Sequence, residues 1–108
     1  MRVELLWWEG CPSHHEALED LKRVLDEEGL DPASVEVVEV LDDEQAERER
    51  FFGSPTIRID GDDVVPPAEG DPVGLSCRVY RLRDGRPSPT PDLEDLRDAV
   101  RRRAYAAG

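Results

Sequence analysis

The sequence predicts an α/β fold with the element order β-α-β-α-β-β-α. Short segments rich in apolar and β-branched residues alternate with segments in which apolar residues recur at helical spacing. The first strand, helix and strand follow one another as expected for a right-handed parallel crossover. The 108 residues suffice for one hydrophobic core and are too few for two, so we expect a single domain over residues 1–108.

The first part of the chain predicts a strand, a helix and a strand. Residues 3–8 carry one charge among apolar and aromatic side chains, which favours a strand buried on both faces. Residues 12–28 predict an amphipathic helix, and Gly29 provides its C-terminal stop. Residues 35–41 are dense in valine and predict the second strand. The apolar positions at helical spacing in the first helix are Ala17, Leu18, Leu21, Val24 and Leu25.

The middle of the chain predicts a short helix followed by a strand. Two aspartates at 42–43 favour a helix start, and residues 44–52 predict a charged helix that Gly53 closes. Residues 56–60 alternate between apolar and polar side chains and predict the third strand.

The last part of the chain begins with an irregular connection. Residues 61–76 contain three prolines and three glycines, and so long a loop is usually functional or mobile. Residues 77–83 predict a fourth strand, antiparallel to the third. The final helix is expected to start after Pro91, with Thr90 or Asp92 as its cap.

Charge and composition restrict the classes of partner. The chain has 26 acidic and 14 basic residues and a formal charge of −12, which argues against binding nucleic acid or anionic lipid through a basic surface. The acidic runs 42–49 and 60–63 are most simply interpreted as solvated surface. No apolar run has the length of a membrane span and no signal-type segment opens the chain, so we expect a cytoplasmic protein without membrane contact. Two cysteines are too few for a disulfide scaffold.

Cys11 lies where the first strand should end and the first helix begin. Gly10 permits a sharp turn, and Pro12 has the fixed φ suited to the first helical position. Cys11 is therefore predicted at or beside the N-cap, where the helix dipole and free N–H groups would stabilise a thiolate. The alternative interpretation is a small buried apolar residue without chemistry.

A second motif, Gly53-Ser54-Pro55-Thr56, stands immediately before the third strand. Together with the element order and the cysteine at a helix start, it resembles the thioredoxin-like superfamily. The resemblance implies a four-stranded mixed sheet with helices on both faces and a cis peptide bond at Pro55, beside Cys11. In that superfamily the backbone beside this proline pairs with a thiol-bearing ligand or peptide. By resemblance, the substrate-binding residues are Pro12, Ser54, Pro55 and Thr56.

The motif Cys11-Pro12-Ser13-His14 departs from the Cys-x-x-Cys of dithiol oxidoreductases. One cysteine with His14 in place of the second resembles monothiol glutaredoxins. A closer resemblance is to small bacterial thioredoxin-like proteins of unassigned role, which share a Gly-Cys-Pro start, the Gly-Ser-Pro-Thr turn and a later Leu-Ser-Cys-Arg segment. His14 is a candidate to hydrogen-bond the sulfur or to act as acid and base, and the alternative is an exposed polar residue.

Cys77 allows two interpretations. In a simple hairpin it would lie far from Cys11, within the core. If the preceding loop returns the chain to the active end, Cys77 lies near Cys11. It could then resolve a mixed disulfide or sulfenic acid, or join Cys11 and His14 in binding a soft metal ion.

These residues predict a thiol-dependent redox protein. In this hypothesis Cys11 attacks a disulfide or is oxidised, His14 and Cys77 complete the catalytic set, and the partner is a small thiol or a protein disulfide. No cofactor is expected. One alternative is a module that handles Zn²⁺, Cu(I) or Hg²⁺ through Cys11, His14 and Cys77. Another is a thioredoxin-like interaction domain without catalysis.

Overall fold

The computed structural model describes residues 1–106, and its main sheet is four-stranded and mixed. The strands are β1 (Val3–Trp7), β2 (Glu36–Glu39), β3 (Thr56–Ile59) and β4 (Asp62–Asp63), in the spatial order β2-β1-β3-β4. β1 pairs in parallel with β2 and antiparallel with β3, and β3 pairs antiparallel with β4. The predicted α/β class with a four-stranded mixed sheet is confirmed.

Helices cover both faces of this sheet. The helices α1 (His14–Glu27) and α3 (Leu93–Ala106) pack together on one face, and α2 (Asp43–Glu49) lies on the other. A single 3₁₀ turn, Pro32–Ser34, precedes β2. None of the helices within residues 1–106 is long and apolar enough to cross a membrane.

Two apolar clusters fill the space between the sheet and the helices. Successive residues of β1 point to opposite faces, so Leu5 joins the cluster under α1 and α3, while Leu6 joins the cluster under α2. The first cluster contains four residues of α1 that the helical spacing predicts to face the core: Ala17, Leu21, Val24 and Leu25. The second contains Val40, Ala46 and Phe51.

The fourth strand lies earlier in the chain than predicted. Asp60 and Gly61 both have positive φ, 53° and 86°, as in the tight two-residue turns that match the twist of a hairpin. The chain therefore reverses at once, and Asp62–Asp63 becomes the fourth strand. The predicted strand over 77–83 is wrong, because this segment contributes only β5 (Tyr80–Arg81), which pairs with β6 (Pro87–Ser88) in a separate hairpin.

The end of α2 also differs from the prediction. Asp42 caps this helix as expected, since its carboxylate accepts the Gln45 N–H at 2.8 Å. Arg50, with a φ of 50°, ends it instead of Gly53. The left-handed residue turns the chain so that the next side chain, Phe51, enters the second cluster. At the other end of the chain, Asp92 accepts the Glu94 N–H at 2.8 Å and is the cap of α3.

Candidate functional site

Cys11 lies in a turn between β1 and α1. Its N–H donates to the Trp8 carbonyl at 3.0 Å, and a further turn at Pro12 and Ser13 precedes the helix. The N-cap is Ser13, so the predicted N-cap position of Cys11 and the first helical position of Pro12 are wrong by two residues. The field of a helix end acts mainly within its first turn, so α1 is a weaker influence on the sulfur than the sequence suggests.

The Cys11 sulfur is enclosed by protein. Only 2% of the residue is exposed, and Sγ donates to the Ser54 carbonyl at 3.4 Å. Ser54 also fixes the turn from its other side, because its hydroxyl accepts the Trp8 N–H at 3.0 Å. The Ser54–Pro55 peptide bond is cis, the isomer that the resemblance implies.

Gly10 allows the Trp8 indole to lie against the backbone of the cysteine turn. A Cβ atom at Gly10 would stand 2.3 Å from the indole ring, a distance that no side chain can occupy without displacing Trp8. The glycine is therefore required by this close approach. Trp8 packs against the α2 cluster and Trp7 against the opposite one, so the two indoles diverge from the strand end.

The side chain of His14 contacts the backbone of the cysteine turn. The imidazole stacks on Trp7 with ring centroids 4.2 Å apart, and its Nδ1 lies 3.3 Å from the Cys11 carbonyl oxygen. His15 packs beside it, with ring centroids 4.1 Å apart. These contacts hold the ring at the helix start, and a role for His14 in acid–base chemistry stays a prediction.

Cys77 lies beside Cys11 and is exposed, so its interpretation as a core residue is wrong. The segment around it forms an isolated parallel bridge with Ser54. The Ser54 N–H donates to the Ser76 carbonyl at 2.8 Å, and the Arg78 N–H donates to the Ser54 carbonyl at 2.9 Å. The Ser54 carbonyl thus accepts from Arg78 on the Cys77 segment and from the Cys11 thiol, which brings the two cysteines together.

The two thiols lie close to each other. Both cysteines are free, and Cys77 Sγ lies 3.9 Å from the Gly10 carbonyl oxygen, on the turn that holds Cys11. The pKa of Cys77 is raised, first by its hydrogen bond with the Cys11 side chain, then by partial burial and by repulsion from a Cys11 thiolate. Two thiols held close together against the backbone of Ser54 and Gly10 can form a disulfide by oxidation.

Three side chains that the sequence did not single out hold the Cys77 segment in place. The Arg78 guanidinium forms an ion pair with Asp63 on β4 and also donates to the Val65 carbonyl. The Tyr80 hydroxyl donates to the Pro55 carbonyl, and burial raises the pKa of Tyr80, which keeps the hydroxyl protonated as a donor. The interpretation of 60–63 as solvated surface is therefore wrong at Asp63. The sequence signal for Tyr80 was an aromatic side chain within the segment predicted as a strand, whereas nothing in the sequence marked Asp63 as buried.

The predicted substrate-binding residues differ in their exposure to solvent. Pro12 is exposed, whereas Ser54, Pro55 and Thr56 are buried. The backbone N–H and carbonyl of Ser54, where the resemblance implies that a partner pairs, are already bonded to Ser76 and Arg78. A partner could pair with Ser54 only after the Cys77 segment moves.

Two depressions open beside the cysteines. The first, about 310 Å³, is lined largely by carbon atoms and includes Cys11, Pro12, Cys77 and Val79. The second, about 480 Å³, includes Phe52 and shares Cys77, Arg78 and Val79 with the first. Cys77 therefore lines both depressions.

The predicted metal-binding set does not come together. Within residues 1–106, no three His, Cys, Asp or Glu side chains lie close enough to hold a metal ion. Cys11 and Cys77 lie close together, whereas the His14 imidazole stacks on Trp7 with its Nδ1 against the Cys11 carbonyl oxygen.

Comparisons with protein-family models, with curated proteins and with solved structures find no match for this chain. Function is therefore inferred from the geometry of the two cysteines.

Proposed function

We propose that this chain is a thiol-disulfide redox protein with a thioredoxin-like fold, in which Cys11 and Cys77 form and break an intramolecular disulfide. The observation that carries the proposal is that both cysteines are held at Ser54: Cys11 Sγ donates to the Ser54 carbonyl, and Cys77 forms a parallel bridge with Ser54. The sheet order β2-β1-β3-β4, the helices on both faces and the cysteine turn beside Ser54-Pro55 support the fold assignment.

The chemistry is a two-electron exchange with a disulfide partner. Cys11 and Cys77 together give up two protons and two electrons, and a Cys11–Cys77 bond forms. The partner disulfide accepts them and is released as two thiols. In the reverse direction two external thiols reduce the Cys11–Cys77 bond and leave as a disulfide. A second cysteine in the Cys-x-x-Cys position is not needed, because Cys77 supplies the second sulfur.

The experiment is oxidation of the reduced protein with diamide, followed by intact-mass measurement and peptide mapping. We expect a monomer that has lost two hydrogen atoms and that yields a Cys11–Cys77 linked peptide. Cys11→Ser and Cys77→Ser should each abolish this product. A wild-type protein that keeps both thiols free, or that forms only intermolecular disulfides, would contradict the proposal.

Turnover is measured as the reduction of hydroxyethyl disulfide by reduced glutathione. We expect the wild-type protein to accelerate this reaction and both single-cysteine variants to be slower. Equal rates in the wild type and in a variant lacking both cysteines would show that the disulfide has no role in exchange.

A further inference from the structure

The two sulfurs differ sharply in their access to a partner. Cys11 is 2% exposed, and its Sγ donates to the Ser54 carbonyl. Cys77 is exposed and lines two open depressions. Thiol–disulfide exchange needs direct contact between the attacking sulfur and the attacked sulfur, so access decides which cysteine meets an external partner first.

The surroundings of Cys77 leave room for a bulky partner. Val79, two residues along, is 71% exposed, and Pro12 forms part of the facing wall of the first depression. Cys11 lines that depression as well, but only 2% of the residue is exposed and its Sγ donates to the Ser54 carbonyl. A partner sulfur that approaches along either depression therefore reaches Cys77 before Cys11.

We infer that Cys77 forms the mixed disulfide with the external partner and that Cys11 resolves it. This inference rests on the proposed function and assigns the order of its steps. It reverses the order that the sequence predicts, in which Cys11 attacks first.

The two steps balance as follows. The Cys77 thiolate attacks one sulfur of a partner R–S–S–R′, the Cys77–S–R bond forms, and R′–S⁻ leaves and takes up the proton that Cys77 gave to solvent. The Cys11 thiolate then attacks Cys77 Sγ, the Cys11–Cys77 bond forms, and R–S⁻ leaves and takes up the proton from Cys11. The partner disulfide gains two electrons, and the two cysteines lose them.

The test uses Cys11→Ser and Cys77→Ser with oxidised glutathione as the probe. Serine nearly preserves the shape of cysteine, so Cys11 should stay buried in the Cys77→Ser variant. We expect Cys11→Ser to accumulate one glutathionyl group on Cys77, because the resolving thiol is missing. At its alkaline plateau, the rate for Cys77→Ser should be lower by at least about tenfold, since the remaining thiol is buried. The plateau is compared so that each rate refers to a fully ionised thiol.

Circular dichroism identifies a variant that has failed to fold, and Cys11→Ala provides a second form of the exposed single thiol. Glutathionylation of Cys77→Ser as fast as that of Cys11→Ser would overturn the inference, as would a folded Cys11→Ser or Cys11→Ala that takes up no glutathione. Either result leaves the diamide-induced Cys11–Cys77 disulfide of the wild type unaffected, so the inference can fail while the proposed function stands.

Discussion

Arg78 and Asp63 form an ion pair with Nη1 and Oδ2 2.7 Å apart, where the two side chains are only 9% and 13% exposed. Arg78 also lies over the Tyr80 ring, with Cζ 4.7 Å from its centroid. Burial raises the pKa of Asp63, and the guanidinium opposes that rise. Since Arg78 follows Cys77 directly, this ion pair ties the exposed cysteine to the edge of the sheet.

Replacing Arg78 by methionine should destabilise the protein strongly. The substitution keeps much of the packed volume but leaves the Asp63 carboxyl buried without its cation. Removing one partner of such a pair costs about 3 kcal/mol or more. Urea denaturation of the reduced protein measures the change in the free energy of unfolding. The diamide-induced disulfide should also form more slowly, because the Cys77 segment has lost its anchor.

The matched control is Arg86→Met. Arg86 pairs with Asp84 at the same distance, 2.7 Å, but both side chains are largely exposed. Exposed pairs contribute little to stability, so this variant should unfold close to the wild-type urea concentration. Equal losses in the two variants would show that burial of the Arg78–Asp63 pair has no energetic consequence.

Gly53→Ala should displace the Cys77 segment. Gly53 has a φ of 126°, and a Cβ there would lie 3.1 Å from the Arg78 backbone nitrogen and from Ser76 Oγ. The variant combines backbone strain of about 1–3 kcal/mol with a contact that pushes the segment away from Ser54. We expect lower stability and slower formation of the Cys11–Cys77 disulfide after diamide addition.

Gly61→Ala separates these two effects. Gly61 also has a positive φ, 86°, but no atom lies within 4 Å of its added Cβ. This variant should lose stability through strain alone and should form the disulfide at the wild-type rate. Disulfide formation slowed equally in both variants would contradict a specific role for the close approach at Gly53.

The parts of the fold that local patterns determine were predictable from the sequence. Ala17 and Leu21 are buried because helical spacing places them on one face, and that spacing is visible in a short window. Asp42 and Asp92 cap their helices through hydrogen bonds to residues two or three positions ahead, so the sequence indicates them too. The Gly53 to Thr56 motif marked the segment that lies against Cys11.

The location of Cys77 could not be predicted, because it depends on contacts between distant parts of the chain. The irregular loop before it shows no hydrophobic periodicity. The tight turn at Asp60 makes Asp62–Asp63 the fourth strand, in place of the segment that contains Cys77. The pairing of Arg78 with Asp63 is equally hidden, because a charged residue that will be buried by a distant partner looks the same in sequence as one on the surface. Amino-acid composition therefore does not distinguish the buried charges of Arg78 and Asp63, which matter most for stability, from charges on the surface.

Asp92, the cap of α3, should make the free energy of unfolding depend on pH in the acidic range. Hydrogen bonds from the backbone N–H of Arg83, Glu94 and Asp95 lower its pKa in the folded state. A lowered folded pKa contributes stability that is present above the unfolded value, about 3.9, and is lost as the pH falls through the folded pKa. Asp92→Asn should keep a cap but lose this acid dependence, measured as the unfolding free energy against pH. Asp92→Ala should in addition cost about 1 kcal/mol at neutral pH by removing the cap. Parallel pH profiles for Asp92→Asn and the wild type would contradict the assignment.

Cys11→Ser should lower the pKa of Cys77. The largest cause of its raised pKa is the hydrogen bond with the Cys11 side chain, and repulsion from a Cys11 thiolate adds to it. Serine removes the second ionisable sulfur, so the Cys77 thiol should ionise closer to the ordinary range for cysteine. The rate of iodoacetamide alkylation against pH, with the modified peptide identified by mass spectrometry, measures this pKa. Pro89→Ala is the control, because Pro89 lines the same depression and carries no charge. An unchanged Cys77 pKa in Cys11→Ser, or an equal fall in Pro89→Ala, would mean that the Cys11 side chain does not raise the pKa of Cys77. The two thiols would then not lie close together in solution, contrary to the proposed redox step.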